Sequence, residues 1–270
     1  MGVIMSSFSV STVAGVPLGL ILAAHWNWHV PFFAIAALCV LLAAQAAWAL
    51  PPLRGHLVRA RETSVWGGIV QVVGDGNHRL AFVFSALVMF SSFTVIPYIT
   101  LYMQSNVGLS AQQIPTVYFV GGLATLVSAR WVGRWSDRYG KVVMFQRMAL
   151  GALLPMLATT LLPPMHLGGV LVVSTAFFVM VSGRMIPAMA VVTSAANPAL
   201  RGTFMTLNAS VQSAAMGLAS VVGGVLIQRD AQGLVQMYWL AALVGGLGSV
   251  LAVLLVPRLH LHGAPSAAAQ

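Results

Sequence analysis

Charge is what this chain most lacks. Only 6% of its 270 residues are Asp, Glu, Lys or Arg, whereas a soluble domain carries about 25%. Such a chain could not cover a water-facing surface, so lipid must be the solvent for most of it. Acids are scarcest, four against thirteen Lys and Arg, and Glu62, Asp75, Asp137 and Asp230 all fall between apolar runs. The net charge of +9 does not indicate nucleic acid. That reading needs a clustered basic face, and here the arginines punctuate long apolar stretches. Cys39, the single cysteine, lies inside an apolar run and offers no disulfide framework and no metal spacing; it reads as a passive core or lipid-facing residue. Metal-protease, nucleophile-elbow and phosphate-loop motifs are missing, so the sequence indicates no enzyme and no cofactor. A charged leader with a cleavage site is missing too. Met1 leads within two residues into an apolar run, so the chain reads as cut inside its first span.

What is present is apolar length. A bilayer core needs about 20 apolar residues in a helix, and eight stretches supply them: Val3–Ala24, Val30–Leu50, Leu80–Met103, Gln113–Val132, Val142–Leu162, Gly169–Val192, Thr203–Ile227 and Val235–Val256. A barrel would alternate polar and apolar residues over strands of about 10 residues, and these runs do not alternate. The expected fold is an all-α membrane protein with eight transmembrane helices.

The connectors set a topology. Arg54, Arg59, Arg61, Arg79, Arg134, Arg138, Lys141, Arg201 and Arg258 fall in the even connectors and the tail, whereas the odd connectors hold only Arg229 beside Asp230. Lys and Arg accumulate on the cytoplasmic side. Both termini are therefore expected in the cytoplasm of a bacterial-type cell, with the chain multi-pass in the inner membrane. Trp26 and Trp28 then lie at the outer interface as anchors. The long connector 51–78 follows Pro51-Pro52 and contains an apolar patch, Val65–Val73, beside Arg59, Arg61 and Glu62. It suits a short helix on the cytoplasmic surface. The expected organisation is two spans in 1–50, this linker, a six-helix bundle in 79–258, and a tail in 259–270.

The connector Gly133-Arg-Trp-Ser-Asp137-Arg138-Tyr-Gly140-Lys141 carries a recognisable pattern. Gly133 and Gly140 would permit a tight turn, and Asp137, Arg138 and Lys141 offer charges for a latch. The pattern resembles G-x-x-x-D-R-x-G-K/R, the signature loop of the major facilitator superfamily. Ser6-Ser7-Phe8 with Gly15-Val-Pro17-Leu-Gly19 is similar to the fifth helix of the drug and sugar efflux branch, which includes arabinose-efflux-like permeases. Here Val16 separates the Gly and Pro that adjoin in that branch's antiporter motif. Ser182-Gly-Arg184-Met-Ile-Pro187 and Asn197-Pro-Ala-Leu-Arg201-Gly202 resemble its tenth helix and the entry to its eleventh. The resemblance implies that these spans correspond to helices five to twelve of twelve, with the first four lacking. It also implies a secondary transporter that exports a small sugar-like or drug-like solute by alternating access. The alternatives are a non-transporting membrane fragment and a structural subunit completed by another chain.

Ionisable residues within a membrane are costly and usually functional. Arg130 and Arg147 lie near span ends, where their stems can snorkel. Arg184 stands deep in its span, as either a substrate-cavity residue or a cap on backbone kinked at Pro187; it is expected to point into the bundle and not to lipid, against backbone carbonyls or polar groups such as Asn208 or Gln212. Asn208 and Gln212 are four apart and share a face, as polar glue or as cavity lining. Ser91, Ser92, Thr94, Pro97 and Tyr98 interrupt the third span, whose counterpart in the family contributes to the substrate path. Gly15, Pro17 and Gly19, and the series Ser213, Gly217, Ser220, Gly224, have the spacing of close helix packing. A proton as coupling ion finds no carrier, because no acid lies in a span and His25, His29, His56, His78, His166, His260 and His262 all sit in connectors or at span ends. The partners implied are the bilayer and a small solute. In the family, the signature Asp meets a helix N-terminus of the opposite bundle. Here Asp137 would meet the amides of residues 2–6, or else pair with Arg134, Arg138 or Lys141 in its own loop.

Overall fold

The computed structural model describes residues 15–49 and 65–262. Helix α1 (Val16–His25) begins with Pro17 in its first turn, where a missing amide hydrogen costs nothing. A short turn with exposed Trp26 and Trp28 leads to α2 (Val30–Ala49), none of whose residues is buried. A helix apolar all round that buries none of its residues among the described ones is one built for lipid or for other helices.

Helix α3 (Val65–Gly74) buries Val72 and leaves Trp66 and Val70 exposed. Asp75 then caps α4 (Gly76–Phe93), accepting the amides of Asn77 at 2.7 Å and His78 at 3.3 Å. That satisfies two of the four donors every helix start leaves open. The ladder breaks at Thr94 because Pro97 has no amide to offer Phe93, and the chain continues through a 3₁₀ turn, Ile96–Tyr98, into α5 (Ile99–Ser105). Next come α6 (Ile114–Tyr139), α7 (Lys141–Gly151), α8 (Leu153–Thr160) and α9 (Leu167–Ala195). A turn capped by Asn197 opens α10 (Arg201–Leu226), and a two-residue-per-strand hairpin, β1 (Gln228–Arg229) with β2 (Val235–Gln236), leads to α11 (Tyr238–Leu255).

Among the described residues, six helical stretches are long and apolar enough to cross a membrane: Val30–Ala49, Gly76–Ser105, Lys141–Thr160, Leu167–Ala195, Pro198–Leu226 and Tyr238–Arg258. The expected span Val3–Ala24 is described only from Gly15 onward. The expected span Gln113–Val132 falls in α6, which is not among those six; the helix runs on to Tyr139 and gathers Arg130, Arg134, Asp137 and Arg138 toward its end. That extension also corrects the reading of the signature loop. Gly133 is helical, and the turn is made by Gly140 alone, at φ +89°, a conformation that only glycine adopts without strain.

Helix α9 packs along α6 and α7, and α4 packs along α10 and α11. Two apolar clusters fill the bundle. One gathers Val95, Ile99, Tyr102, Met156, Val181 and Tyr238; the other gathers Phe84, Val88, Phe145, Ala188, Phe204 and Val256. Close approach is made at Gly223, Gly224 and Gly245. A Cβ at Gly223 would lie 2.5 Å from the Thr94 carbonyl oxygen, one at Gly224 would lie 2.7 Å from the Tyr98 hydroxyl, and one at Gly245 would overlap Thr94. Beside Gly19 and Gly217 the space is open, so the spacing expectation for these two does not mark a helix contact among the described residues. Gly15 is exposed and Pro17 is buried.

Candidate functional site

The two apolar clusters meet at a polar layer. Arg184, on α9, is 1% exposed. Its Nη1 donates to Ser249 Oγ on α11 at 2.9 Å, and its Nη2 donates to Ser92 Oγ on α4 at 2.7 Å. Ser249 in turn donates to the Ala149 carbonyl on α7 at 3.4 Å, and Ser92 donates to the Val88 carbonyl at 3.2 Å. One guanidinium thus ties four helices together. No described Asp or Glu lies within ion-pair distance of it, and its Nε has no partner. The charge is solvated by two hydroxyls alone.

Arg184 thus points into the bundle against polar groups, as expected, but these are serines and not the named Asn208 or Gln212. Long side chains in a helix lean toward its N-terminus, away from Pro187, and α9 continues as a helix through that proline. Asn208 and Gln212 sit on α10, which packs chiefly along α4. The guanidinium therefore reaches sideways to serines.

The remaining candidates divide into two groups. Asn208 is buried with its Oδ1 unpartnered, and Ser91 Oγ and Ser85 Oγ are buried without partners as well. Ser85 and half-buried Gln212 line a shallow recess between α4, α9 and α10, walled by Val88, Met89, Met185 and Met189. Tyr98 is different: its hydroxyl donates to the Ser220 carbonyl at 2.6 Å, so it ties helices together at the break in α4. Sequence reasoning missed Ser85 and Ser249. Ser85 lies seven residues before Ser92, two turns down the same face, and that spacing could have found it. Ser249 sits in an apolar glycine-rich run with no local signal.

At the end of the bundle that carries Gly140, the signature residues separate. Lys141 Nζ donates to Ser194 Oγ at 2.8 Å, fixing the turn to the end of α9. Asp137 is exposed and pairs with none of Arg134, Arg138 or Lys141. The alternative partner, the amides of residues 2–6, lies outside the described residues. Arg138 and Arg147 both stand over the Tyr139 ring, at 5.5 and 5.6 Å from its centroid. Close by, the Asn77 side chain donates to the carbonyls of Ala195 and His260 and accepts the His260 amide, each at 2.9 Å. The fully buried His78 accepts the Asn197 amide on Nε2 at 3.0 Å, which places its ring proton on Nδ1, facing Asp75 at 3.8 Å. For the Asp75 carboxyl, partial burial works upward, but the amides of His78 and Asn77 outweigh it and hold the group below its ordinary value.

No group of three or more His, Cys, Asp or Glu suited to a metal occurs among the described residues. What the site offers is a polar layer with one buried cation and an apolar recess with few polar groups.

The model of the Major Facilitator Superfamily matches residues 1–220. The uncharacterized MFS-type transporter YtbD of Bacillus subtilis is 23% identical over 265 residues, 94% of this chain and 62% of that protein. YceJ, another uncharacterized MFS-type transporter of the same organism, is 25% identical over 232 residues, 84% of this chain and 57% of its own length. The chain therefore spans less than two thirds of the length of these curated relatives.

Proposed function

We propose that this chain, which belongs to the major facilitator superfamily, is part of a secondary transporter that exports a small sugar-like or drug-like solute by alternating access. The family match and the six apolar helices make it a multi-pass membrane protein of a transporter family; solute, direction and mechanism are our reading. The observation that carries it is the family match over residues 1–220; the shallow recess between α4, α9 and α10 would supply only one wall of a solute site. Ser85 and Gln212 give it polar points in an otherwise apolar wall of Val88 and three methionines, and flexible thioethers suit a surface that must release what it binds. Ser91, Ser92, Asn208 and Arg184 are not among the residues that line the recess.

In this reading the spans number eight and correspond to helices five to twelve of a twelve-helix family member, in the inner membrane with both termini cytoplasmic. Residues 1–50 belong to the opposite bundle, 51–78 are the linker and 79–258 the second bundle. Asp137 seats on the helix start at residues 2–6, where open amides and the helix dipole favour a carboxylate. A proton is a reasonable coupling ion, although its carrier is not among these residues. Purified protein in liposomes loaded with radiolabelled sugars or fluorescent drugs tests the proposal. Efflux that is lost when Gln212 is replaced by Leu supports it, and no gradient-dependent flux of any of these solutes refutes it for this chain alone.

One observation favours a second reading, in which the chain works only together with further helices: α2 buries none of its residues. Co-expression with the N-terminal four helices of a relative such as YtbD separates the two readings, because only the second expects transport to depend on that addition.

A further inference from the structure

We propose that the signature-loop end of α6 is a binding site for an anionic phospholipid, with the headgroup on Arg134, Arg138 and Arg147 and an acyl chain along the helix. The proposal concerns the surface of the bundle and does not rest on the transport reading.

The argument begins with spacing. Phe119, Leu123, Val127, Trp131, Trp135 and Tyr139 recur every four residues on α6, and all are exposed, between 41 and 62%. The opposite side of the same helix, with Thr125, Val132 and Ser136, is buried in the bundle. Residues four apart form a continuous ridge, and from Phe119 to Trp131 this one runs about 18 Å at about 1.5 Å per residue. That is more than half of a hydrocarbon core of about 30 Å. An apolar lane of this length fits much of an acyl chain.

The lane ends in positive charge. Arg134 and Arg138 lie one turn apart beside the last aromatics, and Arg147 reaches in from α7. Both Arg138 and Arg147 stand over the Tyr139 ring, which brings two guanidiniums from different helices together. All three arginines are exposed, and none pairs with an acid among the described residues. Asp137 is the only acid nearby in sequence. A site with three guanidiniums unpaired among the described residues, at the mouth of an apolar lane, calls for an anion with a tail. A phosphatidylcholine headgroup brings its own trimethylammonium to such a site, whereas phosphatidylglycerol brings net negative charge. Trp131 and Trp135, with ring centroids 6.3 Å apart, sit at the level where indole rings favour the headgroup boundary.

Native mass spectrometry of the purified full chain in detergent, titrated with dioleoyl phosphatidylglycerol or dioleoyl phosphatidylcholine, tests this. The first phosphatidylglycerol should bind at least about fivefold more tightly than phosphatidylcholine, since one basic residue near a membrane surface is worth about that factor. Combining Arg134→Gln, Arg138→Gln and Arg147→Gln should abolish that preference and leave phosphatidylcholine binding unchanged. Combining Arg79→Gln, Arg201→Gln and Arg258→Gln removes three exposed arginines from the same end of the bundle and should preserve it. If the first triple variant fails to fold, Arg147→Gln alone, on a different helix, should cost about fivefold. Trp131→Leu with Trp135→Leu should weaken both lipids together. Equal binding of the two lipids by the unaltered chain overturns the proposal, and so does an equal loss in both triple variants, which would indicate general surface charge alone.

Discussion

Replacing Arg184 by Met removes the charge while keeping a long flexible side chain, and the structure fixes what that should do. The substitution loses two hydrogen bonds, to Ser92 and Ser249. Side-chain hydrogen bonds between membrane helices average about 0.6 kcal/mol and reach about 1.7, so the loss is about 1–3 kcal/mol. Against it stands the cost of a guanidinium at depth, about 2.5–3.5 kcal/mol on the insertion scale, which no acid offsets here. The serines are not stranded, because Ser92 retains the Val88 carbonyl and Ser249 the Ala149 carbonyl. Arg184→Met should therefore leave stability unchanged or raise it by about 1–2 kcal/mol, as replacement of buried charges by well-packed apolar groups often does. The serine variants should behave oppositely. Ser92→Ala or Ser249→Ala leaves the buried cation short of a partner and should cost about 1–3 kcal/mol each.

Thermal unfolding in mild detergent reads the difference. At about 2–4 °C per kcal/mol for a chain of this size, Arg184→Met should melt at or a few degrees above the unaltered chain, and each serine variant several degrees below it. Adding Ser92→Ala to Arg184→Met should then cost little, because the coupled partner is already gone. If Arg184→Met melts as low as the two serine variants, the guanidinium is a net structural tie and the reasoning is wrong. A stable Arg184→Met that has lost transport would instead place Arg184 in the working of the site.

Three further outcomes follow from the geometry. Gly245→Ala must displace Thr94 and the Ser91 carbonyl, 2.6 Å from the new methyl, and should cost about 1–3 kcal/mol; Gly19→Ala meets open space and should be silent in the same melting assay. The folded Asp75 carboxyl lies below its ordinary value of 3.8, so its contribution is complete above that value and fades as pH falls through the lower folded one; Asp75→Ala should flatten the acid limb of a stability–pH curve, and an unchanged limb would show that the cap carries none of it. In the complete transporter, Asp137→Asn should shift the population toward inward-open states and slow efflux; unchanged transport together with unchanged cytoplasmic labelling of a thiol probe would sink the latch.

Much of the fold was legible because bilayers impose length. Apolar runs of the right extent mark the helices, Pro97 marks the break in α4, and Gly140, like Gly108 and Gly233, marks a turn with a positive φ. Other features could not be read locally. The signature segment looked like a loop because it is polar, yet its residues up to Tyr139 extend α6, and polarity alone does not end a helix whose exposed face can be wet. Glycines four apart identify a shared face without saying whether a neighbour lies on it. Gly224 has such a neighbour in Tyr98; Gly19 and Gly217 do not. The partners of Arg184 were the least visible. Ser92 and Ser249 stand 92 and 65 residues away in sequence, and only the pairing of helices reveals that a lone cation is shared between hydroxyls.

The break in α4 shows how the polar layer and the recess are held in register. An interrupted helix in a membrane exposes carbonyls that cannot turn to water, so each must find a donor within the protein. Here the Phe90 and Ser91 carbonyls both accept from Thr94 Oγ1 at 3.2 Å, and the Val95 carbonyl accepts the Tyr238 hydroxyl at 2.7 Å. Gly223 and Gly245 let α10 and α11 close directly onto Thr94, and Tyr98 returns a hydrogen bond to α10 at Ser220. The break is thus clamped by both neighbours and serves as a packing notch. Two residues before it, Ser92 holds Arg184; at the other end of the same helix, Asn77 and His78 hold the end of α9 and the start of the α10 turn. Between those two levels lie Ser85, Val88 and Met89, the α4 side of the recess. The α4 side of the recess is therefore the stretch of that helix fixed at both ends, while Met185 and Met189 of α9 close the recess from the other side.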